Sequence, residues 1–172
     1  MSTHRTMYTP NMIRLKEKYA LLYLYNRKQE VVAKVRIDLN DVDRVGKYKW
    51  SKNNKGYAYN SSKGLLHRFI VEAKPGQDYD HKNNKPLDCR RKNLRPCTSQ
   101  ENNRNSSIRS DNTSGAKGVT WNKPLGKYVA RIMVDKKNIH LGYFTILKDA
   151  ALAYNVAAKR YFGDFAVINN IK

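Results

Sequence analysis

Residues 146–162 constrain the fold more than any other run in the chain. Leu147, Ala150, Ala151, Tyr154, Ala157, Ala158 and Tyr161 recur there at three- and four-residue spacing. That period predicts one helix with a single apolar stripe. Most of the stripe is Ala, which lets the helix lie close on a sheet, and Gly163 suits its end. Three short strand candidates come just before it: Lys117 to Trp121, Tyr128 to Val134 and Asn138 to Tyr143. In the middle one, Tyr128, Ala130, Ile132 and Val134 share one face, and Val129, Arg131 and Met133 share the other. Three short strands followed by a helix that can lie close on a sheet are the expected outcome. Tyr128 reads as core, and Trp121 as core or rim.

The earlier part of the chain reads as β-rich. Leu21 to Tyr25 and Val31 to Ile37 flank a polar NRKQE turn and predict a hairpin. Tyr48 to Ser51 and Gly56 to Asn60 flank a second polar turn, SKNNK. LLHRFIVE at 65–72 reads as a short helix that KPGQ breaks. The whole is α+β, with N-terminal β-hairpins and a smaller C-terminal layer.

Charge bounds the partners. Lys and Arg number 34 against 14 acids, a formal +20. Nucleic acid is the natural partner for such an excess. The charge is unevenly spread: residues 1–98 hold 22 basic and 9 acidic groups, residues 99–112 hold 2 of each, and residues 113–172 hold 10 and 3. Two cationic blocks thus flank a neutral stretch, SQENNRNSSIRSDN, that starts as a helix and ends as a linker. A basic membrane-surface protein is the alternative, and no long Lys-rich amphipathic helix supports it. The longest apolar-looking run, YALLYLY at 19–25, is too short to span a bilayer. The two cysteines, Cys89 and Cys97, form no CxxC pair, so they make no zinc site by themselves. With a polar N-terminus and no apolar leader, the expected setting is soluble and reducing, in a cytoplasm.

Chemistry concentrates in residues 79–105, YDHKNNKPLDCRRKNLRPCTSQENNRN. Asp80 and His81 are adjacent, and Asn93 and Asn102 follow. A carboxylate and an amide oxygen suit a hard divalent ion. A neighbouring imidazole can take a proton from water. On an extended segment Asp80 and His81 point to opposite faces, so both serve one site only where the strand ends or bends. NNKPLD is turn chemistry and supplies the bend. LRPCT at 94–98 reads as a second short strand, and Ser99 opens a helix.

This stretch resembles the HNH nuclease motif, and most closely that of phage intron-associated homing endonucleases. There an Asp-His pair is followed by an Asn 13 residues after the Asp and another 22 after it; Asn93 and Asn102 stand at those positions here. The resemblance implies a ββα-metal (His-Me) finger of about residues 65–105 within a nuclease domain of residues 1–105. It assigns Asp80 and Asn102 to one divalent ion, Mg²⁺ or Mn²⁺, and His81 to the general base. Asn93 would orient the His81 ring or tie the loop together. Arg68, Arg90 and Arg91 are expected phosphate contacts, with Arg90 and Arg91 also readable as a solvated charge run. His67 reads as a structural histidine, with support of the site as its alternative. The motif departs from versions that end in His, because Asn102 stands there, and an all-oxygen set favours Mg²⁺ or Mn²⁺ over Zn²⁺.

After a linker at 106–114, residues 115–170 resemble a second family, the plant ethylene-response-factor type of DNA-binding domain. GVTW at 118–121, GKYVARI at 126–132, HLGYF at 140–144, DAALAYNVAAKRYFG at 149–163 and the closing AVIN carry that resemblance. It implies a three-stranded antiparallel sheet packed on one helix, with the sheet entering the major groove. The implied DNA-facing residues are Lys117, Thr120, Arg131, Met133, Asn138, His140 and Tyr143, with Lys123 and Lys127 on phosphates. Thr120, Met133 and Asn138 stand where the plant domains have Arg, so plant target preference does not transfer. Together the two resemblances imply a monomeric, site-specific DNA endonuclease that homes a mobile genetic element of a phage. Its expected partner is double-stranded DNA in the host cytoplasm, with no small-molecule cofactor and no membrane. The rivals are a non-catalytic DNA-binding regulator that kept the nuclease shape and, within enzymes, an RNA nuclease.

Overall fold

The protein is described from a computed structural model that covers residues 10–106, 108 and 110–170. The chain divides into two compact units, Met1–Thr98 and Ser99–Lys172.

In the first unit β1 (Ile13–Leu15), β2 (Ala20–Tyr25) and β3 (Val31–Ile37) form an antiparallel sheet in that order. The β2–β3 turn is closed by Asn26, whose Oδ1 accepts from the backbone N–H groups of Lys28 and Glu30 at 2.9 and 3.0 Å. A short 3₁₀ turn (Leu39–Asp41) and α1 (Val42–Gly46) follow. Next, β4 (Ser51–Lys52), β5 (Ala58–Asn60) and β6 (Gly64–Leu65) make a second small antiparallel sheet. The strand expected over Tyr48 to Ser51 is thus mostly loop. Trp50 explains why: its ring lies in the core, its Nε1 donates to the carbonyl of Val45, and its backbone N–H is held by buried Asn11. The run 65–72 yields α2 (Leu66–Ile70), shorter than expected because Glu72 turns into left-handed backbone at φ 54°.

β7 (Asp78–His81) and β8 (Leu94–Cys97) pair antiparallel, Asp80 opposite Arg95 and His81 opposite Leu94. One core serves the whole unit: Leu22, Leu24, Val35 and Ile37 of the first sheet pack with Val45, Trp50, Leu66, Ile70, Cys89 and Leu94. The β7–β8 hairpin therefore rests on the N-terminal sheet through apolar contact. Hydrogen bonds join them as well. The Arg36 N–H donates to the Leu87 carbonyl at 2.8 Å, and the Cys89 N–H donates to the Arg36 carbonyl at 2.9 Å.

The second unit opens with α3 (Ser99–Arg104) and continues with β9 (Val119–Asn122), β10 (Lys127–Val134), β11 (Lys137–Phe144) and α4 (Leu147–Phe162). The sheet is antiparallel in the order β11-β10-β9. Tyr128, Ala130, Ile132 and Val134 face α4, where Ala150, Ala151, Tyr154, Ala157 and Ala158 receive them. Phe162, not Tyr161, completes the helix stripe: it continues the four-residue step from Tyr154 and Ala158 and is buried, while Tyr161 is exposed. Trp121 is exposed and meets Tyr128 edge-on at 4.7 Å. Gly118 sits where β9 meets α4. Its φ is +73°, and a Cβ there would come within 2.1 Å of the Tyr154 ring, so only Gly fits. Among the described residues no helix is long and apolar enough to cross a membrane. The architecture is mixed, with small antiparallel sheets and few helices.

Candidate active site and nucleic-acid interface

β7 ends at His81, and the chain turns at once. The Asn84 N–H donates to the His81 carbonyl at 2.8 Å, with Asn84 at φ 55°. Asp80 and His81 are thus the last two residues of a strand, each only 5% exposed. Arg95, opposite on β8, donates from Nη2 and Nε to Asp80 Oδ2 at 2.8 and 3.1 Å. Both side chains are largely shielded, so this guanidinium fixes the carboxylate from one side.

The His81 ring meets the His67 ring edge-on at 4.8 Å, and Tyr57 lies 5.6 Å from His67 and 5.9 Å from His81. His67 comes from α2 and Tyr57 from the loop before β5. Burial pushes the His67 pKa down to about 3, helped by His81 and Arg68. His81 is also lowered by burial, against the opposing pull of Asp80 and Asp88. Burial thus favours the neutral form of both imidazoles. Burial of His67 agrees with its structural reading, yet its ring is a direct neighbour of His81. Tyr57, His67 and Arg95 are the residues around this pair that sequence reasoning left out of the site. Only the period-two pairing of β7 with β8 could have signalled Arg95.

Asn93 lies in the turn before β8 and is buried. Its Nδ2 donates to Asn83 Oδ1 at 3.0 Å and to the Asp88 carbonyl at 2.8 Å, and its Oδ1 accepts from the Asn83 N–H at 3.1 Å. Its backbone carbonyl accepts from Lys82 at 2.8 Å. These bonds tie residues 82–93 into a closed loop. Asn102 stands exposed on α3, in the second unit.

The arginines expected on phosphates have protein partners. Arg90 donates to both oxygens of buried Asp88, at 2.7 and 2.6 Å, and that pairing holds the Asp88 carboxyl below its ordinary range. Arg91 likewise donates to both carboxylate oxygens of Asp41, at 3.2 and 2.8 Å. Arg68 donates to the carbonyls of Gln77 and Lys74 at 2.6 and 3.2 Å, closing the turn that breaks α2. Lys82, Lys85 and Lys92 surround the same hairpin with exposed ammonium groups.

Asp80 in the first unit offers a carboxylate and Asn102 in the second an amide oxygen, donor types that hard divalent ions take. Arg95 occupies Oδ2 of Asp80, but a carboxylate has about four lone-pair sites and can serve a guanidinium and an ion together. Asp80 can therefore serve a hard cation beside Arg95. Among the described residues no three His, Cys, Asp or Glu side chains cluster as a metal cage, and Cys89 and Cys97 are not in a disulfide.

In the second unit Thr120, Lys123, Lys127, Arg131, Met133, Asn138, His140 and Tyr143 are all exposed. Cross-strand register sets several of them in rows: Arg131 opposite His140, Met133 opposite Asn138, and Thr120 and Tyr143 on either side of Val129. His140 and Tyr143 are three apart and would alternate to opposite faces on a regular strand. The register shift at Ala130/Arg131 removes that conflict, because one extra residue on a strand resets its alternation. A groove of about 1000 Å³ is lined by Lys117, Thr120, Arg131, Met133 and Asn138, together with Gln100 and Arg104 of α3. Lys117 differs from the rest of the expected set. It is half-buried, and its Nζ donates to the backbone carbonyls of Arg104, at 2.8 Å, and Ser106.

No family model matches the chain. It is 34% identical over 135 residues to a protein of Acanthamoeba polyphaga mimivirus named "Uncharacterized HNH endonuclease L560", spanning 74% of this chain and 70% of that one. Similarity of that extent covers more than either unit alone, and with it the chain belongs to the HNH endonuclease family.

Proposed function

We propose that this protein is a metal-dependent DNA endonuclease whose β7–β8 hairpin and α3 make a ββα-metal finger. The observation that carries the reading is a buried His81 beside a buried, Arg-fixed Asp80 at a strand end. His81 is the general base: its unprotonated ring nitrogen takes a proton from water as the water oxygen attacks phosphorus. The bond from phosphorus to the leaving oxygen then breaks. Asp80 and Asn102 would hold one Mg²⁺ or Mn²⁺, which would supply charge stabilisation for the phosphate and the leaving oxygen. Asn93 keeps the 82–93 loop closed so that His81 cannot swing away.

The C-terminal sheet and helix are read as an ethylene-response-factor-type DNA reader, after a linker at 106–114. The exposed rows of β9, β10 and β11 support it, as does the net positive charge of residues 113–172. Lys123 and Lys127 suit phosphates, while Arg131, Asn138 and His140 suit base edges. Arg68, Arg90 and Arg91 act mainly by shaping the finger, and the exposed lysines around it hold the backbone of DNA. The biological role proposed is homing of a mobile genetic element, by a monomer acting in the host cytoplasm.

His81→Ala should lose cleavage of plasmid DNA by roughly 10²–10⁴-fold with DNA affinity kept. Asp80→Ala should lose it comparably and weaken Mn²⁺ binding. A His81→Ala protein that cuts at the wild-type rate would remove the base from the mechanism. Affinity intact with no cutting by the wild-type protein would instead favour a DNA-binding regulator.

A further inference from the structure

We infer that Lys117 and Asp135 are positioning residues for α3, so that the C-terminal unit sets Asn102 in place as well as reading DNA. The inference rests on the reading of Asn102 as an oxygen donor to the divalent ion. It adds a catalytic requirement to a unit otherwise assigned to recognition.

α3 has six residues, none of them buried. A helix that short is marginal in water by itself, and with no buried face it has little apolar packing to hold it. Polar contacts from the C-terminal unit take that role. The Lys117 ammonium donates to the backbone carbonyls of Arg104 and Ser106. These lie at the C-terminal end of α3, where carbonyls lack helical partners and a cation is favoured by the helix dipole. At the β10–β11 turn, Asp135 Oδ1 accepts from Gln100 Nε2 at 2.7 Å and from Arg104 Nη2 at 3.2 Å. The Arg104 guanidinium also lies 5.0 Å from the centre of the Phe162 ring.

The anchor is itself fixed. The Lys117 N–H donates to Asn169 Oδ1 at 2.7 Å, and its carbonyl accepts from Asn169 Nδ2 at 3.0 Å. Asn169 is bound in turn, through its backbone, to the side chain of Asn155 on α4 at 2.7 and 2.9 Å. Lys117 thus projects from a backbone pinned to the main helix of the unit. Gln100 and Arg104 are four apart and share the face of α3 turned to Asp135, while Asn102, two residues from each, does not face with them. The contacts leave Asn102 exposed and fix the helix that carries it.

The test uses the full chain. Lys117→Met and Asp135→Ala are compared with wild type, with Lys117→Arg as the conservative variant and Lys159→Ala, on the exposed side of α4, as control. Four quantities are read: hydrogen-exchange protection of the α3 amides, Mn²⁺ affinity by electron paramagnetic resonance, and kcat and KM for plasmid cleavage. Expected are loss of α3 protection and a fall of roughly 10–100-fold in kcat and Mn²⁺ affinity, with KM unchanged. Lys117→Arg should recover part of the loss, and Lys159→Ala should match wild type. Asp135 lies in an exposed turn, so its variant keeps the test open if Lys117→Met folds poorly. Wild-type kcat and Mn²⁺ affinity in Asp135→Ala and Lys117→Met would overturn the inference. So would a rise in KM alone, which would make Lys117 a DNA contact. Failure of wild type to cut with any divalent ion would sink the nuclease reading, and this inference with it. Cutting by wild type with unmoved variants would sink only the inference.

Discussion

His67 and His81 touch ring to ring in a buried setting, and both are pushed toward the neutral form. For His67 this makes stability depend on pH. In the unfolded chain an imidazole binds its proton below about pH 6.5, whereas the folded His67 stays neutral down to about 3. The stabilising effect of low pH on the unfolded chain is therefore absent above about 6.5 and grows as pH falls toward 3. Urea midpoints measured at pH 7.5, 6 and 5 should fall with acid, and His67→Phe should flatten that slope. A slope unchanged in the variant would show that other groups set the acid limb. The Asp80-His81 pair and its spacing to Asn93 and Asn102 were legible because they are local in sequence. The Tyr57–His67–His81 contact was not, since three separate elements bring those rings together. Arg91 is another such case. Its partner Asp41 lies 50 positions away, so sequence offered Arg91 only as a phosphate contact or part of a solvated charge run.

At the scale of elements, strong periodicity translated directly. α4 and the β2–β3 hairpin lie within a residue of their expected spans, because each has a long run with one clear period and a turn at its end. α1 and β1 were missed; five and three residues carry too little pattern to stand out. The same reasoning makes Gly118 a sharp test of how β9 meets α4. Gly118→Ala puts a methyl group into the Tyr154 ring at a backbone angle that L-residues avoid. It should destabilise the second unit by at least about 1–3 kcal/mol, the usual cost of overpacking. Thermal unfolding followed through the Trp121–Tyr128 pair reads this out, and an unchanged melting temperature would mean that the sheet and helix are less closely apposed.

Along the whole chain, two cationic blocks flank the neutral residues 99–112, where α3, a helix with no buried residue, opens the second unit. Its grouping with the second unit could not be read from sequence, where SQENNR follows β8 directly. Lys117 and Asp135 hold it by backbone and side-chain bonds that no periodicity announces. The proposed activity is hydrolysis of DNA with a divalent ion held by Asp80 and with His81 as base. The most direct measurement incubates supercoiled plasmid with the purified full chain in Mg²⁺, in Mn²⁺ and in excess EDTA. Conversion to nicked or linear DNA should occur with either ion, stop in EDTA, and return when Mg²⁺ is restored in excess. Cleavage that continues at full rate in EDTA would contradict the account.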